Sequence, residues 1–194
     1  MSRIELGGAW TLIRAGDKSS RPIAVPGDIM SALVASGELA DPFIDRNELA
    51  AQWVGREDWI LARDFVVDAK TAGRADIFLD IEVLDTIGEV RLNGTLLGKG
   101  ESMFLGLRLD ASPSLKEGSN RIEVLIRSPE KAALEKAATL SYPVPWSTYP
   151  ISSPHRNLIR KAQCMSGWDW GPSLMTGGIY DGIALVALDG PRID

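Results

Sequence analysis

The stretch Asp76-Ile77-Phe78-Leu79-Asp80-Ile81-Glu82-Val83 decides the fold. Ile77, Leu79, Ile81 and Val83 share one side of an extended chain, and Asp76, Asp80 and Glu82 share the other. Phe78 alone interrupts the polar side. Successive side chains of a strand point to opposite faces, so this period of two predicts a strand with one face buried. Arg121-Ile122-Glu123-Val124-Leu125-Ile126-Arg127 repeats the pattern, with Ile122, Val124 and Ile126 inward and Arg121, Glu123 and Arg127 outward. Asp58 to Val67 predicts a third strand, less cleanly patterned, in which Trp59, Leu61, Phe65 and Val67 share a face.

The turn chemistry around these runs points the same way. Asn93-Gly94 lies between Glu89-Val90-Arg91-Leu92 and Thr95-Leu96-Leu97. Asn-Gly tolerates positive φ at both central positions, which predicts a type I′ hairpin. Lys116 to Asn120 reads as another turn, and Gly182 to Leu188 as a last apolar strand. Helical signals are sparse: Ile29 to Ser36 ended by Gly37, and Glu130 to Ala138 opened by Ser128-Pro129. Many short strands with one or two short helices predict an all-β fold, a β-sandwich or jelly roll. Between Ser141 and Pro154 four prolines stand among Tyr142, Trp146 and Tyr149. Prolines interrupt regular hydrogen bonding, so a long loop is expected there.

Composition narrows the functional classes. The 194 residues suit one domain with a core large enough to need no disulfide or metal staple. Net charge is -5 with both signs interspersed, and no basic tract offers itself to nucleic-acid phosphates or to a membrane surface. Cys164 is the one cysteine, so no internal disulfide or CxxC metal pair can form. That, with an N-terminus lacking an apolar signal region, leads to the expectation of a reducing, cytoplasmic compartment. No cofactor is expected: Met103 stands where a dinucleotide loop starting at Gly98-Lys99-Gly100 needs its third glycine. No metal-ligand motif occurs either. His155, the only histidine, has no Gly-x-Ser-x-Gly elbow to serve and is expected at the surface. Cys164 is expected to be a small buried residue.

The sharpest chemistry lies in Trp168-Asp169-Trp170-Gly171-Pro172. Indole faces cover the apolar C–H faces of a pyranose, and a carboxylate can accept hydrogen bonds from two neighbouring hydroxyls. A plainer account makes both tryptophans core residues and Asp169 a turn cap. Asn47 and Glu48 suit hydroxyl recognition, although bracing of their own loop is the commoner role for such residues. Arg160 and Lys161 lie just upstream, where an arginine could pair with Asp169 or with a carboxylate of another domain, or simply stay solvated.

Arg160-Lys161-Ala162-Gln163 followed by Gly167-Trp168-Asp169-Trp170-Gly171-Pro172 resembles a signature of the β-mannosidase-like enzymes of glycoside hydrolase family 2. Further matches fall in the same order. Val25-Pro26-Gly27-Asp28 resembles the family's early loop, and Asp41-Pro42-Phe43, Asn47-Glu48, Trp53 and Asp58-Trp59 its next block. Leu92-Asn93-Gly94, Leu97-Gly98 and Met103-Phe104 resemble the hairpin and the segment after it. Met30, Ser166 and Ile60 depart from the family's usual histidine, aromatic and tyrosine.

The resemblance implies a jelly-roll sandwich of the galactose-binding type over 1–188, with 189–194 starting a linker. In the family an immunoglobulin-like domain and a (β/α)₈ barrel follow, and the barrel carries the catalytic glutamates. By the same match Asp169 binds the mannoside, Trp168 shapes the pocket wall, and Trp170 is packing support; Arg160, Asn47 and Glu48 are candidates for further pocket support by their own chemistry. No catalytic residue is assigned within 1–194. Such a domain should also expose apolar surface near the Trp-Asp-Trp turn and the 141–154 loop. Three readings stay open at this point: a mannosidase accessory domain, a free-standing carbohydrate-binding module, and a purely structural sandwich.

Overall fold

A computed structural model describes residues 2–145, 153–188 and 190. The strands are β1 (Ser2–Glu5), β2 (Gly8–Arg14), β3 (Ser20–Val25), β4 (Gly27–Asp28), β5 (Trp59–Val67), β6 (Ile77–Ile81), β7 (Leu84–Asp85) and β8 (Ile87–Leu92). They continue with β9 (Thr95–Glu101), β10 (Leu107–Asp110), β11 (Gly118–Ile126), β12 (Ser166–Trp168), β13 (Gly171–Ser173), β14 (Gly178–Ile179) and β15 (Ile183–Ala187). Helices are α1 (Ile29–Ala35), α2 (Asn47–Ala51), α3 (Ala69–Ala72) and α4 (Pro129–Thr139).

Two antiparallel sheets form the sandwich. One runs β3-β2-β5-β11-β8-β9 and the other β1-β15-β6-β10. Their inner faces meet in one core cluster. Ile77, Leu79 and Ile81 of β6 and Ile183 and Leu185 of β15 join Ile122, Val124 and Ile126 of β11 with Trp59 and Leu61 of β5. Each such side chain, fully buried, contributes roughly 1.5–3 kcal/mol relative to exposure. The period of two holds in β11 and over Ile77, Leu79 and Ile81 of β6, while Val83, expected on the same face, lies beyond the end of the strand and is half-buried.

Long-range contacts account for the two irregularities. Phe78 on the outer face of β6 is covered by Arg108, whose guanidinium lies 5.8 Å from the ring centroid and pairs with Asp80 at 2.7 Å. In β5, Arg63 falls on the apolar face and donates through Nη1 to the carbonyls of Leu6 (2.7 Å) and Gly7. The hairpin between β8 and β9 turns at Asn93 (φ 51°) and Gly94 (φ 85°), as the Asn-Gly pair requires. Buried Asn120 organises the next turn, donating to the Lys116 and Gly118 carbonyls and accepting from Lys116 N–H and Asn93 Nδ2.

Both expected helices form. Asp28 caps α1 through the Ser31 N–H. Ser128 caps α4, accepting from Lys131 N–H and donating to Gly55 O, while its own N–H is held by Asp58 at 2.7 Å. The short α2 and α3 were not anticipated. Only one turn or so long, they leave too little periodicity to read. Residues 141–145 carry no regular structure, as expected for a proline-rich segment. Trp146, Tyr149 and Pro150 fall outside the described residues, as does the expected linker apart from Gly190. Among the described residues no helix is long and apolar enough to cross a membrane.

Candidate functional site

After Lys161 the chain leaves the sandwich and returns at Thr176, and the excursion ends in the small hairpin β12–β13. Ser166 pairs with Ser173 and Trp168 with Gly171, so Asp169 and Trp170 form the tip. This hairpin is a two-stranded sheet of its own. Asp169 is exposed, Trp168 is 47% exposed and Trp170 is 78% exposed. The account in which both tryptophans are core residues therefore fails. Trp170, expected as packing support, stands at the hairpin tip with most of its surface open in this chain. The exposed tip offers a carboxylate between two indoles.

Side chains from distant parts of the chain hold the hairpin's root. Glu48 Oε1 accepts the Ser173 N–H at 2.7 Å, and Gln52 Nε2 donates to the Ser173 carbonyl at 2.7 Å. Arg156 Nη1 donates to the Ser166 carbonyl at 2.9 Å. Ser166 Oγ contacts Met175 Sδ at 2.8 Å, and the Leu174 N–H donates to Met165 O at 2.9 Å. Asn47 instead braces its own loop, donating to the Asp41 carbonyl at 3.0 Å. Glu48 thus joins the hairpin, while Asn47 does not.

Two upstream cations part company. Arg160 is exposed and directs Nε to Ser102 Oγ at 3.4 Å, and its carbonyl accepts from Met103 N–H. Its partner is the end of the β8–β9 hairpin, not Asp169. Lys161, to which the sequence assigned no partner, is almost wholly buried and ion-paired with the fully buried Asp85. Its ammonium also donates to the Thr176 carbonyl at 2.8 Å. Burial pulls the Lys161 ammonium below the ordinary lysine range, against the upward pull of Asp85. Thr176 Oγ1 donates to Asp28 at 2.8 Å and accepts from Met30 N–H at 3.1 Å. The Val-Pro-Gly-Asp turn and the root of the excursion are one hydrogen-bonded unit.

Beside that root opens a cleft of about 570 Å³, lined among others by Asp28, Phe43, Met165, Leu174, Thr176 and Tyr180. Met30 also lines it and is otherwise buried, which accounts for an apolar residue at that position. Burial, with the charges of Asp85 and Asp28, pushes the Tyr180 phenol well above its usual value, so it stays protonated. Large apolar side chains are exposed at Phe43 (75%), which lines the cleft, and at Ile44, Phe104, Leu105 and Tyr142. Cys164 is exposed, contrary to its expected burial, because it lies in the excursion and not in the core. His155 is half-buried and heads a short 3₁₀ turn in the left-handed region, φ 61°. Among the described residues no three His, Cys, Asp or Glu side chains gather as a metal site would need.

Residues 10–181 match the family described as glycosyl hydrolase 2 galactose-binding domain-like. A β-mannosidase of Mus musculus is 30% identical over 193 residues, covering 97% of this chain and 22% of its own length. β-Mannosidase B of Emericella nidulans is 36% identical over 189 residues, covering 93% of this chain and 22% of that protein. The crystal structure of β-D-mannosidase from Dictyoglomus thermophilum superposes with a TM-score of 0.91 at 36% identity, covering 96% of this chain and 23% of that one. The chain thus spans about a fifth of the length of these relatives. It belongs to the glycosyl hydrolase 2 galactose-binding domain-like family, and the sandwich is of that type.

Proposed function

We propose that this member of the glycosyl hydrolase 2 galactose-binding-like family serves as the N-terminal domain of a β-mannosidase, presenting a sugar-binding hairpin to a catalytic barrel. One observation carries the reading: the Trp168-Asp169-Trp170 tip projects from the sandwich with its carboxylate and indoles exposed, while its root is braced from the α2 segment. An exposed carboxylate flanked by aromatics costs folding nothing to leave unpaired, and it is free to accept hydroxyl hydrogen bonds. Asp169 then binds the mannoside ring and Trp168 forms a wall. Trp170, at 78% exposure, is placed to touch either the sugar or a neighbouring domain.

Cleavage of a terminal β-mannoside requires two carboxyl groups about 5–5.5 Å apart in a retaining enzyme. We assign those to the barrel, with an immunoglobulin-like domain between, and none to residues 1–194. On this reading the chain alone binds mannosides poorly and hydrolyses none, since the rest of the pocket comes from elsewhere. Exposed Phe43, Ile44, Phe104 and Leu105 suit a domain interface. A single exposed thiol, with no disulfide partner, suits a reducing, cytoplasmic setting.

The test is Asp169→Ala in the enzyme that carries this domain. A fall in kcat/KM of on the order of 10²-fold, with the unfolding curve unchanged, supports the reading, since a charge-assisted hydrogen bond contributes about 1.5–3 kcal/mol. Unchanged kinetics would sink it and leave the sandwich a structural role. Tight binding of manno-oligosaccharides by the isolated chain, below millimolar, would favour an independent carbohydrate-binding module instead.

A further inference from the structure

We propose that Lys161 is the positioning residue of the Asp169 hairpin: its buried ammonium clasps the two arms of the 161–176 excursion together and pins them to the sandwich. This rests, for its functional half, on the reading that Asp169 binds sugar.

The hairpin cannot orient itself. Among the described residues, strands β12 and β13 pair only with each other, and residues 168–170 are all exposed. Where Asp169 points therefore depends on how the arms are held. Lys161 begins the outgoing arm and Thr176 ends the returning one. The Lys161 Nζ donates to the Thr176 carbonyl at 2.8 Å, closing the neck of the excursion across 15 residues of chain. The same nitrogen pairs with Asp85 in β7, and β7 is hydrogen-bonded to β14, the strand that the returning arm enters. One side chain thus joins the departing arm, the returning arm and the sandwich.

Charge at this position is not explained by stability alone. A buried ion pair gains little over a well-packed apolar pair of the same volume, because desolvation offsets the attraction. What an apolar pair lacks is direction. An ammonium has three donors of defined geometry, and here one is spent on a main-chain carbonyl whose position sets the neck. Thr176 extends the clasp: its hydroxyl donates to Asp28 and accepts from Met30 N–H, fixing the returning arm to the start of α1 as well. Further out, Glu48 and Gln52 grip Ser173. Ser166 with Met175 and Leu174 with Met165 tie the arms to each other nearer the tip, while Lys161 joins both arms and the sandwich at the neck.

Lys161→Met by itself strands the Asp85 carboxylate in the core and risks unfolding. The informative variant is Lys161→Met with Asp85→Leu, which removes both charges together and leaves an apolar pair. Amide hydrogen exchange is measured on the 194-residue chain. Exchange over 163–175 is expected to quicken on the order of tenfold while β5 and β11 keep wild-type protection, as local opening without global loss requires. In the enzyme carrying the domain, KM for 4-nitrophenyl β-D-mannoside is expected to rise several-fold with kcat per folded enzyme less affected. Loss of folded protein alone would lower the apparent kcat and leave KM in place. Wild-type protection over 163–175, equal acceleration throughout the core, or an unchanged KM in the double variant each overturns the proposal. Asp169→Ala is run in parallel. If it leaves KM and kcat unaltered, the sugar-binding reading falls, while the exchange data still decide whether Lys161 clasps the hairpin.

Discussion

Glu48→Ala separates a residue that holds the hairpin from one that merely sits near it in sequence. Glu48 Oε1 accepts the N–H of buried Ser173 at 2.7 Å, a contact 125 residues away along the chain. A hydrogen bond to a charged acceptor contributes about 1.5–3 kcal/mol net. Glu48 is partly solvated, so water can enter when it is removed and the lower part of that range applies, about 1.5 kcal/mol. With a urea m-value of ~2.5 kcal/mol/M, the midpoint should fall by about 0.6 M with m unchanged. The melting temperature should drop by roughly 3–6 °C for a domain of this length. Glu48→Gln keeps an acceptor without the charge and should lose about half as much, since charge-assisted bonds are roughly twice as strong as neutral ones. Asn47→Ala is the control. It removes only a bond to the Asp41 carbonyl in an exposed loop and should cost less than about 1 kcal/mol. If Glu48→Ala proves no more costly than Asn47→Ala, the bracing of β13 from α2 is wrong.

Other outcomes follow from the same structure. Asn120→Ala, which removes four hydrogen bonds from the turn before β11, should cost about 3 kcal/mol by urea unfolding; a loss below 1 would mean water replaces them fully. Trp170→Ala should leave stability within about 0.5 kcal/mol and remove fluorescence that iodide quenches readily, whereas Trp59, with Nε1 bonded to the Val54 carbonyl, should resist quenching. Cys164 should react with a thiol reagent in the folded protein without denaturant. Acid should weaken the fold in a defined sense. Arg21 holds the Glu38 carboxyl, Lys99 the Glu89 carboxyl, and the Thr71 N–H the Asp68 carboxyl, all below the usual range. Each contributes fully above the ordinary carboxylate value of about 4 and loses its contribution as pH falls through the depressed folded value. Urea midpoints that stay flat from pH 5 to pH 2 would contradict this, and salt at 1 M should shrink the Glu38 and Glu89 parts.

How much of this was legible depends on the range of the interactions involved. Alternation in β6 and β11, the Asn93-Gly94 turn, the α1 and α4 helices with the Ser128 cap, and the irregular start of the proline-rich segment at 141–145 were all readable, because each arises from neighbours in sequence. The order of motifs, ending in Trp168-Asp169-Trp170-Gly171-Pro172, likewise pointed to the family that the comparisons show. Other features were not readable, and for one reason. Arg160 and Lys161 are adjacent cations with nothing local to tell them apart, yet Arg160 stays at the surface beside Ser102 and Lys161 is buried against Asp85. Asn47 and Glu48 are adjacent polar residues, yet one serves its loop and the other reaches β13. Both distinctions depend on which distant strand the fold brings alongside.

The chain's own residues therefore determined a two-sheet sandwich, its turns and caps, and the Trp-Asp-Trp tip as the place to look. Only the tertiary structure decided that the tip is exposed, with Trp170 the more open of its two indoles, and that a buried lysine closes the neck beneath it. Periodicity and turn preference act over a few residues and can be read along a line. Burial and partner choice are set by segments far apart in sequence, and they exist only once the sheets have closed on one another.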